Sequence, residues 1–549
     1  MSYTTPTGPC AKTLLACALS FMLPLAAAEK PISSEPAESR QTEKPASGSE
    51  IEQLKRMIAD QQRQIDELRH ALEGQKNAPA IAHTSIGEVA STSAVIPPAA
   101  AAPASLPPQK SNGDEGSSPL QFRIGDAYIT PVGFMDFTTI TRSTNPGSGI
   151  GTNFGSIPFS NSAQGSLSET RFSAQNSRVG ARVDAVVHGA KVLGYLESDF
   201  LGAPPGNVAV SSNSDPLRLR LYWVDVRKGK FEFLGGQSWS LLTPNRRGLS
   251  ALPGDLFYSQ AIDVNYQNGL VWSRDPGFRV LFHPTEKVAF GVSLENPEQY
   301  IGGSGGGGTI TLANALSVLA GSQLNNGANT ALSVPGMHPD IIAKLAFDPS
   351  RRFHIEIAGV ERTFKVFNPN SQQKFTSAGG AGAINLSFEP IKNFRILTNN
   401  YYGAGGGRYL FGEAPDLILR ADGSISPIHS GSTVTGFETQ AKSTLFYGYY
   451  GGIYIQRNVA LDTNGKPVGY GFSGSLNSQN RTIQEATFGM NQTFWKDPKF
   501  GALNLMLQYS YLQRNPWFVA ANQPSDAHLH MVFVNLRYTL PGSAPRLEH

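Results

Sequence analysis

The sequence predicts an all-β fold: a transmembrane antiparallel β-barrel of about 16 strands, preceded by a short α-helical coiled coil and a disordered linker. Three observations predict it. Apolar and polar residues alternate with a period of two from about residue 120 onwards. Short polar turns alternate along the chain with long connections rich in Gly, Asn and Ser. The chain begins with a segment typical of exported proteins.

The composition agrees with such a barrel and excludes several other classes of protein. Charged residues make up only 16% of the 549 residues, and the mean hydropathy of −0.22 is the polar average that alternating lipid-facing and lumen-facing residues produce. The net charge of +3 is too small to indicate a nucleic-acid partner. The two cysteines are Cys10 and Cys17, both in the N-terminal export segment. If that segment is removed, the mature chain has no thiol for a metal site, a disulfide or a nucleophile. We expect no cofactor.

Residues 1–28 are predicted to be a signal peptide. Lys12 precedes an apolar run from Thr13 to Leu25, and three alanines then offer the small residues needed for cleavage. Residues 29–50 are rich in Glu, Ser, Pro and Lys, and we expect them to be disordered because they bury too little apolar surface to fold. Because a signal peptide directs export, we expect the mature protein outside the cytoplasm.

Residues 51–73 are predicted to form a periplasmic coiled-coil helix. Its heptad a and d positions hold Ile51, Leu54, Ile58, Ile65, Leu68 and Leu72. A helix this short gains most of its stability from a partner face. Residues 74–119 are rich in Ala and Pro and indicate an extended linker, so no domain adjoins the helix. We expect the helix to associate with further copies of itself, and contact with peptidoglycan stays open.

Residues 120–540 are predicted to form the barrel. Val and Ala alternate with charged residues between 178 and 188, and a similar run between 217 and 223 is expected to present one apolar face. That face would hold Leu217, Leu219, Leu221 and Trp223. In lipid, unpaired backbone groups at a sheet edge cost several kcal/mol each, so the sheet must close. Roughly 420 residues, at about 26 per strand and connection, allow about 16 strands. Residues 541–549 are expected to be a C-terminal tail.

The polar faces of these strands carry charged residues that would point into the lumen. The predicted pore-lining residues on strands are Arg178, Arg182, Arg218, Arg220, Arg362, Asp184, Glu197 and Asp199. Two interpretations stay open. The charges pair across neighbouring strands, or they form a ladder whose field is focused by low-dielectric walls. Arginine suits carboxylate solutes because its planar fork binds them in bidentate fashion.

The connection that follows Trp239 carries Arg246 and Arg247. If this loop folds into the lumen, the two arginines lie at a constriction; in an external loop they would be unremarkable. The glycine tract 302–308 lacks the strand and helix context of a nucleotide or nucleophile motif. The 10 histidines form no ligand cluster. We predict no catalytic residue, no metal site and no enzyme.

Several short motifs resemble those of the DcaP-like trimeric porins of Gram-negative outer membranes. They are Ser177–Gly180, Gly236–Ser240, His354–Arg362 and Gly405–Tyr409, together with the N-terminal coiled coil and linker. The resemblance spans most of residues 51–540. It implies a trimer of 16-stranded barrels with a periplasmic coiled coil, passing small anionic solutes such as dicarboxylates. It departs at the C-terminus, because outer-membrane barrels commonly end on an aromatic residue, whereas Pro541 to His549 follow Tyr538 here.

These observations together predict a passive porin in the outer membrane of a Gram-negative bacterium, with its N-terminal segment in the periplasm. We expect a water-filled diffusion channel that favours small anions. Its expected partners are outer-membrane lipid, further copies of the chain, and small anionic or polar solutes, with no nucleic acid. Two other classes stay open: a surface adhesin or receptor with a plugged lumen, and a barrel hydrolase.

Overall fold

The computed structural model describes residues 119–202, 216–252, 256–261, 266–303, 307–327, 334–336 and 338–541. Most of them belong to one antiparallel sheet that closes on itself as a barrel of 16 strands. The all-β barrel predicted from the sequence is therefore confirmed. The predicted signal peptide, disordered segment, coiled coil and linker lie outside the described residues, except for Pro119, and so does the tail beyond Pro541.

The described residues form 22 strands, numbered here in chain order. They are β1 (Phe122–Ile124), β2 (Ala127–Arg142), β3 (Glu169–Ser173), β4 (Arg178–Val187), β5 (Ala190–Asp199), β6 (Arg218–Lys228), β7 (Phe231–Trp239), β8 (Arg274–Thr285), β9 (Val288–Glu295), β10 (Asp340–Ser350), β11 (Phe353–Asn368), β12 (Gln373–Ile391), β13 (Phe394–Ala404), β14 (Leu417–Leu419), β15 (Ile425–Pro427), β16 (His429–Ala441), β17 (Thr444–Ile455), β18 (Asn458–Leu461), β19 (Pro467–Tyr470), β20 (Asn480–Asp497), β21 (Gly501–Pro516) and β22 (Ala527–Thr539). Short 3-10 helices lie at Phe154–Ser156, Gln164–Ser166, Asn314–Leu319 and Gly407–Tyr409.

The barrel closes where β2 pairs with β22, from Phe134 opposite Thr539 to Arg142 opposite Met531. On its other side β2 pairs with β3 at one end and with β4 at the other, so β3 and β4 share one position in the barrel. β1 makes a hairpin with the start of β2, and the pairs β14–β15 and β18–β19 are small hairpins inside long connections. The remaining strands pair in chain order.

The two ends of the barrel differ as the sequence predicts. At one end, the turn end, neighbouring strands are joined by two or three residues, as at 188–189, 286–287 and 498–500. At the other, the loop end, most connections are long: 143–168, 200–217, 240–273, 296–339, 405–428 and 456–479. The connection 369–372 departs from this pattern, because β11 and β12 continue past the other strands before the chain turns.

The two faces of the wall differ in the same way. Outward side chains are mostly apolar, such as Phe278, which is 73% exposed, whereas inward side chains include buried charges such as Arg220 and Asp199. In the aromatic clusters Phe446–Tyr447 and Tyr449–Tyr450, Phe446 and Tyr450 point outward, and Tyr447 and Tyr449 are buried in the lumen. Adjacent strand residues must face opposite sides.

The prediction that Leu217, Leu219, Leu221 and Trp223 share one outer face, in and just before β6, is wrong for the last two. The pairing of β5 with β6 shifts between Ser198 opposite Leu219 and Glu197 opposite Leu221, which leaves Arg220 as an extra residue. Such a β-bulge reverses the alternation of the residues that follow it. Leu221 and Trp223 are therefore buried in the lumen, and Tyr222, which is 62% exposed, faces outward.

Apolar side chains from the long connections pack together at the loop end. Phe154, Tyr266 and Phe411 are all buried, and the rings of Tyr266 and Phe411 lie 4.4 Å apart. The barrel interior therefore has an apolar core at this end, supplied by loops from several sides. Within the described ranges, no helix is long and apolar enough to cross a bilayer.

Candidate pore and its lumenal loop

The connection between β7 and β8, residues 240–273, lies inside the barrel and is called the lumenal loop here. Its residues 253–255 and 262–265 are outside the described residues. The loop is closed at its base, where the N–H of Ser240 donates to the carbonyl of Ser273 (2.9 Å). Leu242 and Phe257 are fully buried. The folding of this connection into the lumen, one of the two alternatives from the sequence, is thus observed.

The first half of the loop is anchored on β10 and β11. Lys344 is buried there, and its ammonium group donates to the carbonyl of Thr243 (2.7 Å) and pairs with Glu356 (2.8 Å). The N–H of Asn245 donates to the same carboxylate of Glu356 (3.1 Å). The N–H of Gly248 donates to Asp348 (3.0 Å). These charge-assisted hydrogen bonds fix the backbone of the loop against the wall.

Arg246 anchors the loop to a more distant strand, β16. Its guanidinium makes a two-pronged pair with Glu438, with Nη1–Oε2 at 2.8 Å and Nη2–Oε1 at 2.5 Å. The hydroxyl of Tyr449 donates to the same carboxylate (2.8 Å). Burial lowers the pKa of Arg246, but the pairing with Glu438 outweighs burial and raises the pKa above its usual value. Glu438 therefore neutralises the charge of Arg246, and the pair holds the loop on β16.

The second half of the loop reaches β20, β21 and β22. The N–H of Gln260 donates to the side chain of Gln508 (2.6 Å), and Arg537 donates to the side chain of Gln260 (3.3 Å). The N–H of Asn268 donates to Glu485 (2.9 Å). The loop is thus attached to strands around the lumen and narrows the path through it.

Arg247 differs from its neighbour. Its side chain is exposed, and it makes no ion pair with any residue that the structure describes. It lines a cavity of about 480 Å³ between the tip of the loop and the wall formed by β4 to β9. The two arginines that the sequence places together therefore have different environments.

Most of the predicted strand charges meet in one cluster on β4, β5 and β6. Arg218 pairs with Asp199 (2.7 Å), and Arg220 pairs with both Glu197 and Asp199 (2.8 Å each). Arg178 lies 3.5 Å from Glu197. Nearer the turn end, Arg182 and Asp184 form a separate two-pronged pair, with both distances at 2.7 Å.

Arg362 lies apart from this cluster, near the loop end. It pairs with Asp340 and with Asp416 of the connection 405–428 (2.9 Å each). Arg408 of the same connection pairs with Asp275 (3.2 Å) and with Asp340 (2.9 Å). Burial lowers the pKa of Arg408, but these carboxylates outweigh it and raise the pKa well above its usual value. All five predicted strand arginines therefore have carboxylate partners, which is the first of the two interpretations left open by the sequence.

Sequence reasoning missed Lys344 and Glu438, and it assigned no separate role to Arg408 within the motif Gly405–Tyr409. Lys344 stands among apolar residues on both faces of β10, which is itself a sign of a buried, paired charge. Glu438 is a lone acid in a strand rich in Gly and Thr. Its partner lies 192 residues away, so no local pattern indicates the pair.

Two histidines lie close together on one strand. His528 and His530 share the outer face of β22, and the hydroxyl of Tyr509 lies 2.7 Å from Nδ1 of His530. Among the described residues, no group of three or more His, Cys, Asp or Glu side chains is arranged to hold a metal ion.

No protein-family model matches the chain, and no curated protein matches its sequence. Among solved structures, the outer membrane channel DcaP of Acinetobacter baumannii matches with a TM-score of 0.54 and 17% identity, over 76% of this chain and 99% of that one. The anion-selective porin from Comamonas acidovorans matches with 0.45 and 12%, over 75% and 99%. OmpT of Vibrio cholerae matches with 0.41 and 8%, over 76% and 99%. Only the first is close enough to establish a common fold. The chain therefore has the barrel fold of the outer membrane channel DcaP, as the resemblance of its sequence to the DcaP-like porins implies.

Proposed function

We propose that the protein is a porin of a Gram-negative outer membrane, a channel through which small hydrophilic solutes diffuse without catalysis. The observation that carries the proposal is a closed barrel, apolar outside, whose lumen is crossed by an anchored loop. A closed sheet leaves no unpaired edge in lipid. In such barrels the short turns lie in the periplasm and the long connections outside.

The lumenal loop supplies size selection in this proposal. Its backbone is bonded to β10 and β11 on one side and to β20 and β21 on the other, and the side chain of Arg246 ties it to β16. A loop fixed at so many points keeps its position while solutes pass, so the cross-section of the path stays constant. The paired charges of the wall, including Arg178, Arg182, Arg218, Arg220 and Arg362 with their acids Asp184, Glu197 and Asp199, hold the shape of the lumen.

A preference for small anions such as dicarboxylates is the second part of the proposal. It is supported by Arg247, which is exposed at the tip of the loop and has no carboxylate partner among the described residues. A charge in a narrow passage with low-dielectric walls acts on passing ions more strongly than it would in open water. Arg246 does not contribute in the same way, because Glu438 neutralises it.

We further propose a homotrimer, with the heptads of residues 51–73 as a periplasmic coiled coil. The support is the heptad spacing and the resemblance of the sequence to trimeric porins. Contact of this segment with peptidoglycan is part of the same proposal. Outer-membrane lipid is the partner of the apolar outer face.

A receptor or adhesin with a plugged lumen is the second candidate. The apolar packing of Phe154, Tyr266 and Phe411 at the loop end favours it, because packed loops obstruct the mouth of a barrel. Detergent-folded protein in planar bilayers distinguishes the two candidates. A trimeric porin gives stable conductance steps in threes, and liposomes swell with dicarboxylates and small sugars. A silent bilayer with correctly folded protein would overturn the porin proposal and support the plugged barrel.

A further inference from the structure

The cavity beside the tip of the lumenal loop is lined by charges of both signs. It measures about 480 Å³ and lies near the turn end of the barrel. Arg247 enters it from the loop. Asp225 enters it from β6, on the wall. Arg247 makes no ion pair within the described ranges, and Oδ1 of Asp225 is buried there without a hydrogen-bond partner.

Charges without partners are uncommon in a protein interior, because a buried carboxylate oxygen that accepts no hydrogen bond loses its hydration without compensation. On the same wall Arg182 pairs with Asp184, and Glu232 pairs with His283 at 3.0 Å. Asp225 and Arg247, together with Lys191 and Arg227 on the wall, line the cavity without such an ion pair in the described ranges, and Arg227 is the cation nearest to Asp225 along β6.

The rest of the cavity is partly apolar. Leu193 and Trp223 line it on the wall, and Leu249 lines it on the loop. The indole N–H of Trp223 is buried and has no acceptor within the described residues. Lys191, exposed at the edge of the cavity, adds a further cation. The cavity thus brings a carboxylate, cations and an apolar surface together in one partly open volume.

We propose that this cavity binds zwitterionic solutes with an apolar side chain, of which an apolar α-amino acid is the simplest; the inference rests on the channel function proposed above. The solute carboxylate lies toward Arg247, its ammonium group toward Asp225, and its side chain against Trp223 and Leu249. A compact dicarboxylate has no ammonium group for Asp225 and no apolar side chain, so it leaves the apolar surface of the cavity in contact with water. The site therefore retains amino acids longer than simple anions.

Three probes of matched shape test the assignment on the unmodified protein. Leucine carries both charges, 4-methylpentanoate carries only the carboxylate, and 3-methylbutylamine carries only the ammonium group. Equilibrium binding to detergent-folded protein is measured by calorimetry, and residence in the channel by interruptions of single-channel current. Leucine is expected to bind at least about tenfold more tightly than either one-charge probe, since each lost charge-assisted hydrogen bond costs roughly a factor of ten or more.

Two conservative variants assign the charges. Asp225→Asn should reduce leucine binding to the level of 4-methylpentanoate, and Arg247→Gln should reduce it to the level of 3-methylbutylamine. Arg351→Gln, at an exposed turn between β10 and β11, serves as the matched control and should leave all three probes unchanged. Asp225→Asn keeps the size of the side chain, whereas Arg247→Gln shortens it; the comparison of probes on the unmodified protein depends on neither variant.

Equal binding of leucine and 4-methylpentanoate would overturn the inference in favour of a simple carboxylate site. Equal binding of leucine by the Asp225→Asn variant and the control would also overturn it. The proposed function fails separately: protein that binds leucine but never conducts contradicts the porin, whereas protein that conducts but does not distinguish leucine contradicts only this site.

Discussion

Replacing Glu438 by Ala removes the carboxylate that holds the middle of the lumenal loop on β16. Arg246 then lies in the lumen with its guanidinium facing an apolar methyl group and the hydroxyl of Tyr449. Removing one partner of a buried ion pair costs about 3–5 kcal/mol, because the other charge is left without compensation. The pair is almost completely buried, with side-chain exposures of 15% and 4%, so solvent screening reduces this cost only in part.

The middle of the loop can avoid that cost by moving away from β16. The loop stays attached to the wall through its other anchors at Lys344 and Gln508. A cost of about 3 kcal/mol changes the ratio of attached to detached loop by about a hundredfold, at about 1.4 kcal/mol per factor of ten. Single-channel recordings should therefore show a larger mean conductance and added current noise in Glu438→Ala. The Arg351→Ala variant, at an exposed turn, should behave like the unmodified protein.

A double variant separates the missing anchor from the unpaired charge. Arg246→Met with Glu438→Leu places two apolar side chains of similar length where the ion pair was, an exchange that is often neutral or stabilising. It should restore a quiet channel. If Glu438→Ala is as quiet and conducts as much as Arg351→Ala, the pair does not hold the loop, and the reasoning about the anchor is refuted.

Three further predictions concern selectivity, the face of β6 and the wall cluster. Arg247→Gln should lower the anion-to-cation permeability ratio, measured from reversal potentials in a salt gradient, and an unchanged ratio would remove Arg247 from selectivity. In a chain that lacks Cys10 and Cys17, Val224→Cys should react with a lipid-soluble thiol reagent and Asp225→Cys with a water-soluble one. The opposite pattern would show that the bulge does not turn Asp225 into the lumen. Arg220→Ala should destabilise the barrel by about 3–5 kcal/mol, because it leaves Glu197 and Asp199 with fewer partners, and heat-dependent gel mobility measures it against Arg351→Ala.

The sequence predicts the barrel well because alternation is a local property. Val179 and Arg178 face opposite sides as their spacing requires, and the short turns fall within a few residues of their predicted places. Partners across the lumen are not local. Arg246 and Glu438 are separated by 192 residues, and only the closed barrel brings them together. The difference between Arg246 and Arg247 is equally invisible in the sequence, because both carry the same charge in the same loop.

The bulge in β6 was not predicted, but the positions of the charged residues in the sequence of this strand indicate it. Arg218 and Arg220 stand at even positions, and Asp225 and Arg227 stand at odd positions. No unbroken strand can turn all four into the lumen. Placing a charged side chain in the lipid near the middle of the bilayer costs about 2–4 kcal/mol for a cation. A single extra residue in the strand, Arg220 itself, lets both pairs face the lumen and so avoids that cost.

The position of the extra residue follows from the same balance. Arg220 is the residue left without a partner across the strand pair, and its guanidinium is held by Glu197 and Asp199 of β5. The irregular backbone is thus fixed by ion pairs at the place where it occurs. Beyond it, Trp223 and Asp225 turn into the lumen and form the wall of the cavity beside Arg247. The charges that require the bulge therefore also shape the proposed solute site, so removing the extra residue should abolish selective binding of leucine together with the inward position of Asp225.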